Sequence, residues 1–198
     1  MKLTPNIQQA INFVAEKHLG QKRKGTPYPY VVHPFSVAVI LSGYTDDENI
    51  IVAGLLHDIL EDVPEYKYHH MAHDFGIKVA RIVMELSEDG DPETEIEKRE
   101  SWLKRKNDYL YNLEHNSQEA LFICAADKIH NLRSMIDDYQ KIGDDLWERF
   151  NAPKEHKLWY YKQVLHILER RLANGIVREL KIVYWQAFNL FGNTHDAA

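Results

Sequence analysis

"GLLHDILEDV", residues 54–63, sets a histidine and three acids within the six positions from His57 to Asp62, directly behind an apolar stretch. The residues before it, Ile50, Ile51, Ala53, Leu55 and Leu56, are almost wholly apolar, as in a helix at the centre of a helical core. Helical neighbours lie three and four apart, so His57 faces Glu61, and Asp58 faces both Glu61 and Asp62. Like charges crowded in this way cost free energy unless a cation compensates. Acids at a helix C-terminus also oppose the helix dipole. A solvated helix end is the plain alternative; a divalent metal resolves both conflicts.

The helical reading extends outward from this segment. Ile7, Ala10, Ile11, Val14 and Ala15 trace one face of an amphipathic helix, with Thr4 and Pro5 as cap and first turn. A basic loop rich in Gly and Pro, "GQKRKGTPYPY", follows. Helices are predicted over 34–42, from Asp46 or Asp47 to Asp62, over 65–75 and 76–88 with Gly76 between them, over 94–114 and over 117–137. "EDGDPE" reads as a loop. Leu158, Tyr161, Leu165, Leu168 and Leu172 place an apolar face on a further helix, and a last one spans about 176–191. No strand alternation, repeat or linker stands out. The expected class is all-α, a compact helical array forming one domain over 1–198, with its core at about 7–170 and a C-terminal helical extension at about 175–191.

Composition narrows the function classes. The chain of 198 residues is 44% hydrophobic, enough for a sizeable core, and no apolar run approaches the roughly 20 residues of a membrane span. "MKLTPNIQQA" has no signal-peptide core, and the single cysteine, Cys124, allows no internal disulfide and no cysteine-based zinc site. A reducing cytoplasm is the expected location. The net charge of −6 argues against nonspecific nucleic-acid binding, but it leaves room for a local basic patch that holds an anion.

A His-Asp doublet supplies only two metal ligands. His33, before Pro34 at a helix start, and Asp127, on the apolar stretch Leu121–Ala126, are candidates for the others. Each has a structural alternative: a capping or core histidine for His33, and an ion pair with Lys128 or Arg133 for Asp127. An unpaired carboxylate on such a stretch would be expensive. Together with His57 and Asp58 they make a mixed N/O set suited to Mn²⁺, Fe²⁺ or Zn²⁺ rather than Ca²⁺. Asn131, one turn from Asp127, could reach a ribose or a base. His69, His70 and His73 read as a surface helix face, His130 is expected to face away from Asp127, and His18 ends the first helix.

His33, the "HD" at 57–58 and Asp127, in series, resemble the HD-domain metal-dependent phosphohydrolase superfamily. "HDILED" and "ADKIHNLRS" are similar to segments of the hydrolase domains of RelA/SpoT homologues, which remove the 3′-pyrophosphate of ppGpp and pppGpp. "HPFSVAVIL" and "DFGIKVARIVMELSED" match that pattern in order and spacing, so the resemblance covers about residues 7–170. It implies a stand-alone small alarmone hydrolase. The implied metal ligands are His33, His57, Asp58 and Asp127, usually around Mn²⁺, with Glu61 and Asp62 activating or positioning the attacking water. It aligns Arg23 and Lys24 with a basic pair that holds substrate, and Lys98 and Arg99 with a second basic segment. The loop before His33 departs from the family's tight spacing, so that either Tyr28 or Tyr30 could take its tyrosine position. The expected partner is a nucleotide, with no nucleic acid and no membrane. Two other functions stay open: an HD-type phosphohydrolase of other nucleotides such as nucleoside monophosphates, and a non-catalytic nucleotide sensor.

Overall fold

The computed structural model describes residues 2–88 and 94–192. Helix α1, Pro5–Lys17, starts as the sequence predicts: Thr4 Oγ1 accepts the Ile7 N–H at 3.3 Å, Pro5 fills the first turn, and Ile7, Ala10 and Val14 are buried. A loop then doubles back through an isolated antiparallel bridge between Lys22 and Pro29, which brings it to α2, Val32–Ser42. Asp47 caps α3, Glu48–Leu56, by accepting the Asn49 N–H at 2.9 Å. Every residue of α3 from Ile50 to Leu56 is buried, so this helix is apolar all round and lies inside the core.

The predicted helix to Asp62 is interrupted. α3 stops at Leu56, His57 and Asp58 form a turn, and a short α4 covers Ile59–Asp62. The His57 ring reaches back to the Gly54 carbonyl at 2.8 Å, so a side chain occupies that acceptor at the break. The helix predicted over 94–114 is likewise two, α7 (Glu95–Glu100) and α8 (Trp102–Leu113). Ser101 between them donates its hydroxyl to the Glu97 carbonyl at 2.6 Å, a local bond that bends helices. Between α4 and α7 come α5 (Tyr68–Phe75) and α6 (Ile77–Leu86), separated by Gly76 at φ 90°. Apart from Glu88, the loop expected at 88–93 lies outside the described residues.

Ser117 caps α9, Gln118–Ile142, which runs one turn beyond its predicted end until Gly143 turns the chain at φ 58°. A 3₁₀ segment, Gly143–Arg149, leads to α10 (Lys154–Arg171) and α11 (Gly175–Gly192). The long α9 is the common partner of α2, α3, α6, α10 and α11. Residues of α11 such as Leu180, Tyr184 and Phe191 share one hydrophobic core with α1, α3 and α9. Among the described residues there is no β-strand, and no helix is long and apolar enough to cross a membrane.

Candidate active site

Three neighbours in this packing, α2, α3 and α9, converge polar groups on one recess. His33 comes from the first turn of α2, His57 and Asp58 from the α3–α4 turn, and Asp127 from the middle of α9. His33, His57 and Asp127 are buried. His33 Nε2 lies 3.2 Å from His57 Nε2, 3.2 Å from Asp127 Oδ1 and 3.6 Å from Asp58 Oδ2. His57 Nε2 lies 3.3 Å from Asp58 Oδ2 and 4.0 Å from Asp127 Oδ1. Donors bound to one ion at about 2.0–2.2 Å are themselves spaced by about 3–3.5 Å. The ligand atoms of His33, His57 and Asp58 fall within 4.8 Å of one another, so these residues could hold a metal ion, and Asp127 borders them.

The surroundings orient these donors. A carbonyl only accepts, so the contact of His57 Nδ1 with Gly54 puts the proton on Nδ1 and turns the Nε2 lone pair into the recess. His33 Nδ1 meets His130 Nδ1 at 2.7 Å. For His33 to present a lone pair at Nε2, its Nδ1 must donate to His130. Burial, His33 and Arg23 push the His130 imidazole down to about 4, so it is neutral and can accept. The expectation that His130 faces elsewhere is therefore corrected: α9 carries Asp127 and His130 one turn apart, against the same partner ring.

Burial raises the Asp58 carboxyl, but His57 and His33 outweigh it and hold it below its ordinary range. Tyr30 donates its hydroxyl to Asp58 Oδ2 at 2.5 Å, while Tyr28 is exposed, which settles which tyrosine meets the site. Burial likewise raises Asp127, and Lys128, His33 and His57 bring it well below the carboxylate range. Lys128 Nζ stands 2.5 Å from Asp127 Oδ2, and Asn131 donates to Oδ1. The alternative ion pair is thus present, on the oxygen that does not face His33. Arg133 points instead to Glu179, at 2.7 Å.

Glu61 lines the recess, and its Oε1 accepts the Glu88 N–H at 2.8 Å. Its side chain opens to solvent, yet the walls of the recess and the Asp58 charge push its carboxyl up to about 7. Asp62 looks to the other side of α4. Its Oδ2 accepts Gln21 Nε2 at 3.0 Å, and burial and Asp58 raise its pKa. The Gln21 amide is itself oriented by His18, whose Nδ1 donates to Gln21 Oε1 at 2.6 Å. His18 thus sits buried behind Asp62, a position that helix-end reasoning did not foresee.

The recess, of about 180 Å³, adjoins a wider cavity of about 390 Å³, and Arg23, Tyr30, Lys128 and Asn131 line both. Arg23 Nη2 donates to Asn131 Oδ1 at 2.9 Å, and Lys24 Nζ to Asn151 Oδ1 at 3.3 Å. Lys98 and Arg99, on α7, are not among the residues that line either space. Lys24 also lines the wider cavity, which takes further cations from Lys106 on α8, Lys141 on α9 and Lys157 on α10, with Trp102, Phe150 and Tyr160 beside them. Neither Lys106 nor Lys157 stands in a motif. Each sits on an amphipathic helix where a lysine reads as solvated, and only the folded arrangement brings them together.

An HD domain profile matches residues 10–154. The chain belongs to the HD domain family. This HD-domain chain is 36% identical over 138 residues to guanosine-3′,5′-bis(diphosphate) 3′-pyrophosphohydrolase MESH1 of Danio rerio, covering 67% of this chain and 70% of that protein. It is 32% identical over 165 residues to a guanosine-3′,5′-bis(diphosphate) 3′-pyrophosphohydrolase of Aquifex aeolicus, covering 80% of this chain and 23% of that longer protein. A solved structure described as a metazoan ortholog of SpoT that hydrolyzes ppGpp superposes with a TM-score of 0.74 at 26% identity, covering 94% of this chain and 97% of that one. The all-α HD-domain array is therefore shared with these proteins.

Proposed function

We propose that this HD-domain chain hydrolyses the 3′-pyrophosphate of ppGpp and pppGpp, giving GDP or GTP and pyrophosphate. One observation carries the reading. Two imidazole nitrogens and the Asp58 carboxylate, close enough to hold a metal and bordered by Asp127, open beside Glu61 into a cavity rich in cations and aromatic rings. His33, His57, Asp58 and Asp127 would hold a divalent ion, and their mixed N/O chemistry suits Mn²⁺. When bound, such an ion polarises a phosphoryl oxygen and makes water more acidic.

The chain's own residues do the rest. Glu61, with a carboxyl near neutrality, takes a proton from the attacking water, and Asp62, on the other side of the same short helix and held by Gln21, acts on that water only through the setting of α4. The water oxygen bonds to the phosphorus attached to the ribose 3′-oxygen. The bond from that phosphorus to the 3′-oxygen breaks, the nucleotide keeps a 3′-hydroxyl, and pyrophosphate leaves. Arg23, Lys128 and Asn131, common to recess and cavity, hold the substrate across the boundary between them. The nucleotide is the expected partner, and a reducing cytoplasm accords with the single buried cysteine, Cys124.

Hydrolysis of ppGpp in ¹⁸O-water with Mn²⁺, followed by mass spectrometry, tests this. The expected products are GDP and pyrophosphate, with the solvent oxygen in the pyrophosphate. Orthophosphate as the first product, or brisk turnover of nucleoside monophosphates with none of ppGpp, would assign the site to a different nucleotide phosphohydrolase.

A further inference from the structure

The wider cavity contains a cation that its surroundings do not neutralise. Lys106 and Lys128 both stand over the Tyr160 ring, 5.0 and 5.6 Å from its centroid, and each has its own carboxylate, Glu88 and Asp127 respectively. Lys157 lines the same cavity from α10 without forming an ion pair among the described residues. Its Nζ rests 3.9 Å from the centroid of the Phe150 ring. Burial and the charges of Lys106, Lys128 and Lys24 push its ammonium down to about 7. A half-buried lysine under such repulsion costs free energy until an anion arrives.

Lys157 also lies apart from the chemistry. It lines the wider cavity and is absent from the walls of the recess that holds His33, His57, Asp58 and Asp127. An anion against Lys157 is therefore a different group from the one poised for cleavage. We propose that Lys157, with Lys106 beside it, forms a second phosphate subsite that binds the uncleaved phosphates of a nucleotide carrying phosphates at two separate positions. On the reading proposed above these are the 5′-phosphates. A phosphate there meets ammonium donors and regenerates the full charge of Lys157. The subsite thereby selects doubly phosphorylated nucleosides over those with a 3′-pyrophosphate alone.

The test compares ppGpp with guanosine 3′-diphosphate bearing a free 5′-hydroxyl. The parent should show a KM for ppGpp lower by about tenfold or more, the scale of a charge-assisted contact. In Lys157→Met this discrimination should collapse toward unity, with the change falling on KM rather than kcat, and Lys157→Arg should restore it. A ratio as large in Lys157→Met as in the parent would overturn the proposal. So would a variant that altered only inhibition by added pyrophosphate, which would assign Lys157 to the leaving product. If the parent turned over neither substrate, the proposed reaction would fail, but the subsite would still be decided by calorimetry with GDP and guanosine. Preferential binding of GDP, lost in Lys157→Met, supports it; equal binding in parent and variant overturns it.

Discussion

The recess and the wider cavity share a wall, yet they manage charge in opposite ways. In the recess every ionisable group has a partner: His33 and His57 face Asp58 and Asp127, and Lys128 and Asn131 take up the rest of Asp127. The cavity holds Lys157 without an ion pair among the described residues, beside Lys106, Lys128 and Lys24. On the proposed reading the first is built in advance for an ion, at the cost of burying imidazoles and carboxylates together. The second leaves a charge for the ligand to complete. A preorganised centre should therefore fail abruptly when one member is removed, whereas an uncompensated one should respond in degree.

The sharpest break should come from the donors. His57→Ala or Asp127→Ala should lose metal and turnover together, by more than the roughly 10–100-fold that loss of an outer partner costs. Metal analysis of the purified variants alongside a rate assay checks this; full occupancy and normal turnover would remove that residue from the centre. Glu61→Gln and Asp62→Asn keep shape but lose a charge, so metal content should stay near normal while kcat drops by about 10²-fold or more in Glu61→Gln and by less in Asp62→Asn, since Asp62 acts through α4. Parental rates in both would end the water-activation role.

His130 lies one step further from the proposed ion. His130→Phe keeps a ring but removes the acceptor for His33 Nδ1–H, and metal affinity should weaken by about 10–100-fold. A metal titration with unchanged affinity would reduce His130 to packing.

The cavity should give the mildest response, and one graded with pH. Lys106, Lys128, Lys24 and Glu88 are the charges that act on Lys157, and its ammonium is pushed down to about 7. Below that pH the free protein carries the charge; above it the charge is lost, and a bound phosphate must recover it. KM for ppGpp should therefore rise as pH increases through 7 in the parent, and rise less in Lys157→Arg. Stability runs the other way. Between about 7 and the ordinary 10.5 the unfolded chain keeps a proton that the folded one has released, so Lys157 contributes increasing stability as pH rises through that window. Urea unfolding of the parent and of Lys157→Met across that range should show the difference.

The same contrast explains what the sequence reveals. The donors of the recess sit in short, chemically odd segments: a His-Asp doublet behind an apolar helix, and an aspartate on the apolar stretch Leu121–Ala126. A charge out of place on a buried face is visible without a structure. The helix set was legible for the same reason, because apolar periodicity marks α1, α9 and α10 directly. The break at His57–Asp58 was not, since it rests on a ring reaching Gly54 and not on any helix-breaking residue. Lys106 and Lys157 were hidden because each sits on an amphipathic helix, α8 or α10, where a lysine is ordinary, and their convergence depends on how those helices pack against α9. Lys98 and Arg99 show the converse: a basic run that stands out in sequence lies on α7, away from the lining of both spaces.

Gly54 links the packing of the core to the centre. A Cβ at this position would collide with Leu41 Cδ1 on α2, and the Gly54 carbonyl holds the His57 ring. His33 rides on α2 and His57 follows α3, so the gap between their Nε2 atoms is set by how closely those two helices approach. The pair works as a caliper whose jaws are helices. On the proposed metal reading, any heat, pressure or denaturant that eases α2 from α3 would register as weakened ion binding before the core itself gives way, and a tightly held ion would clamp the two helices in return.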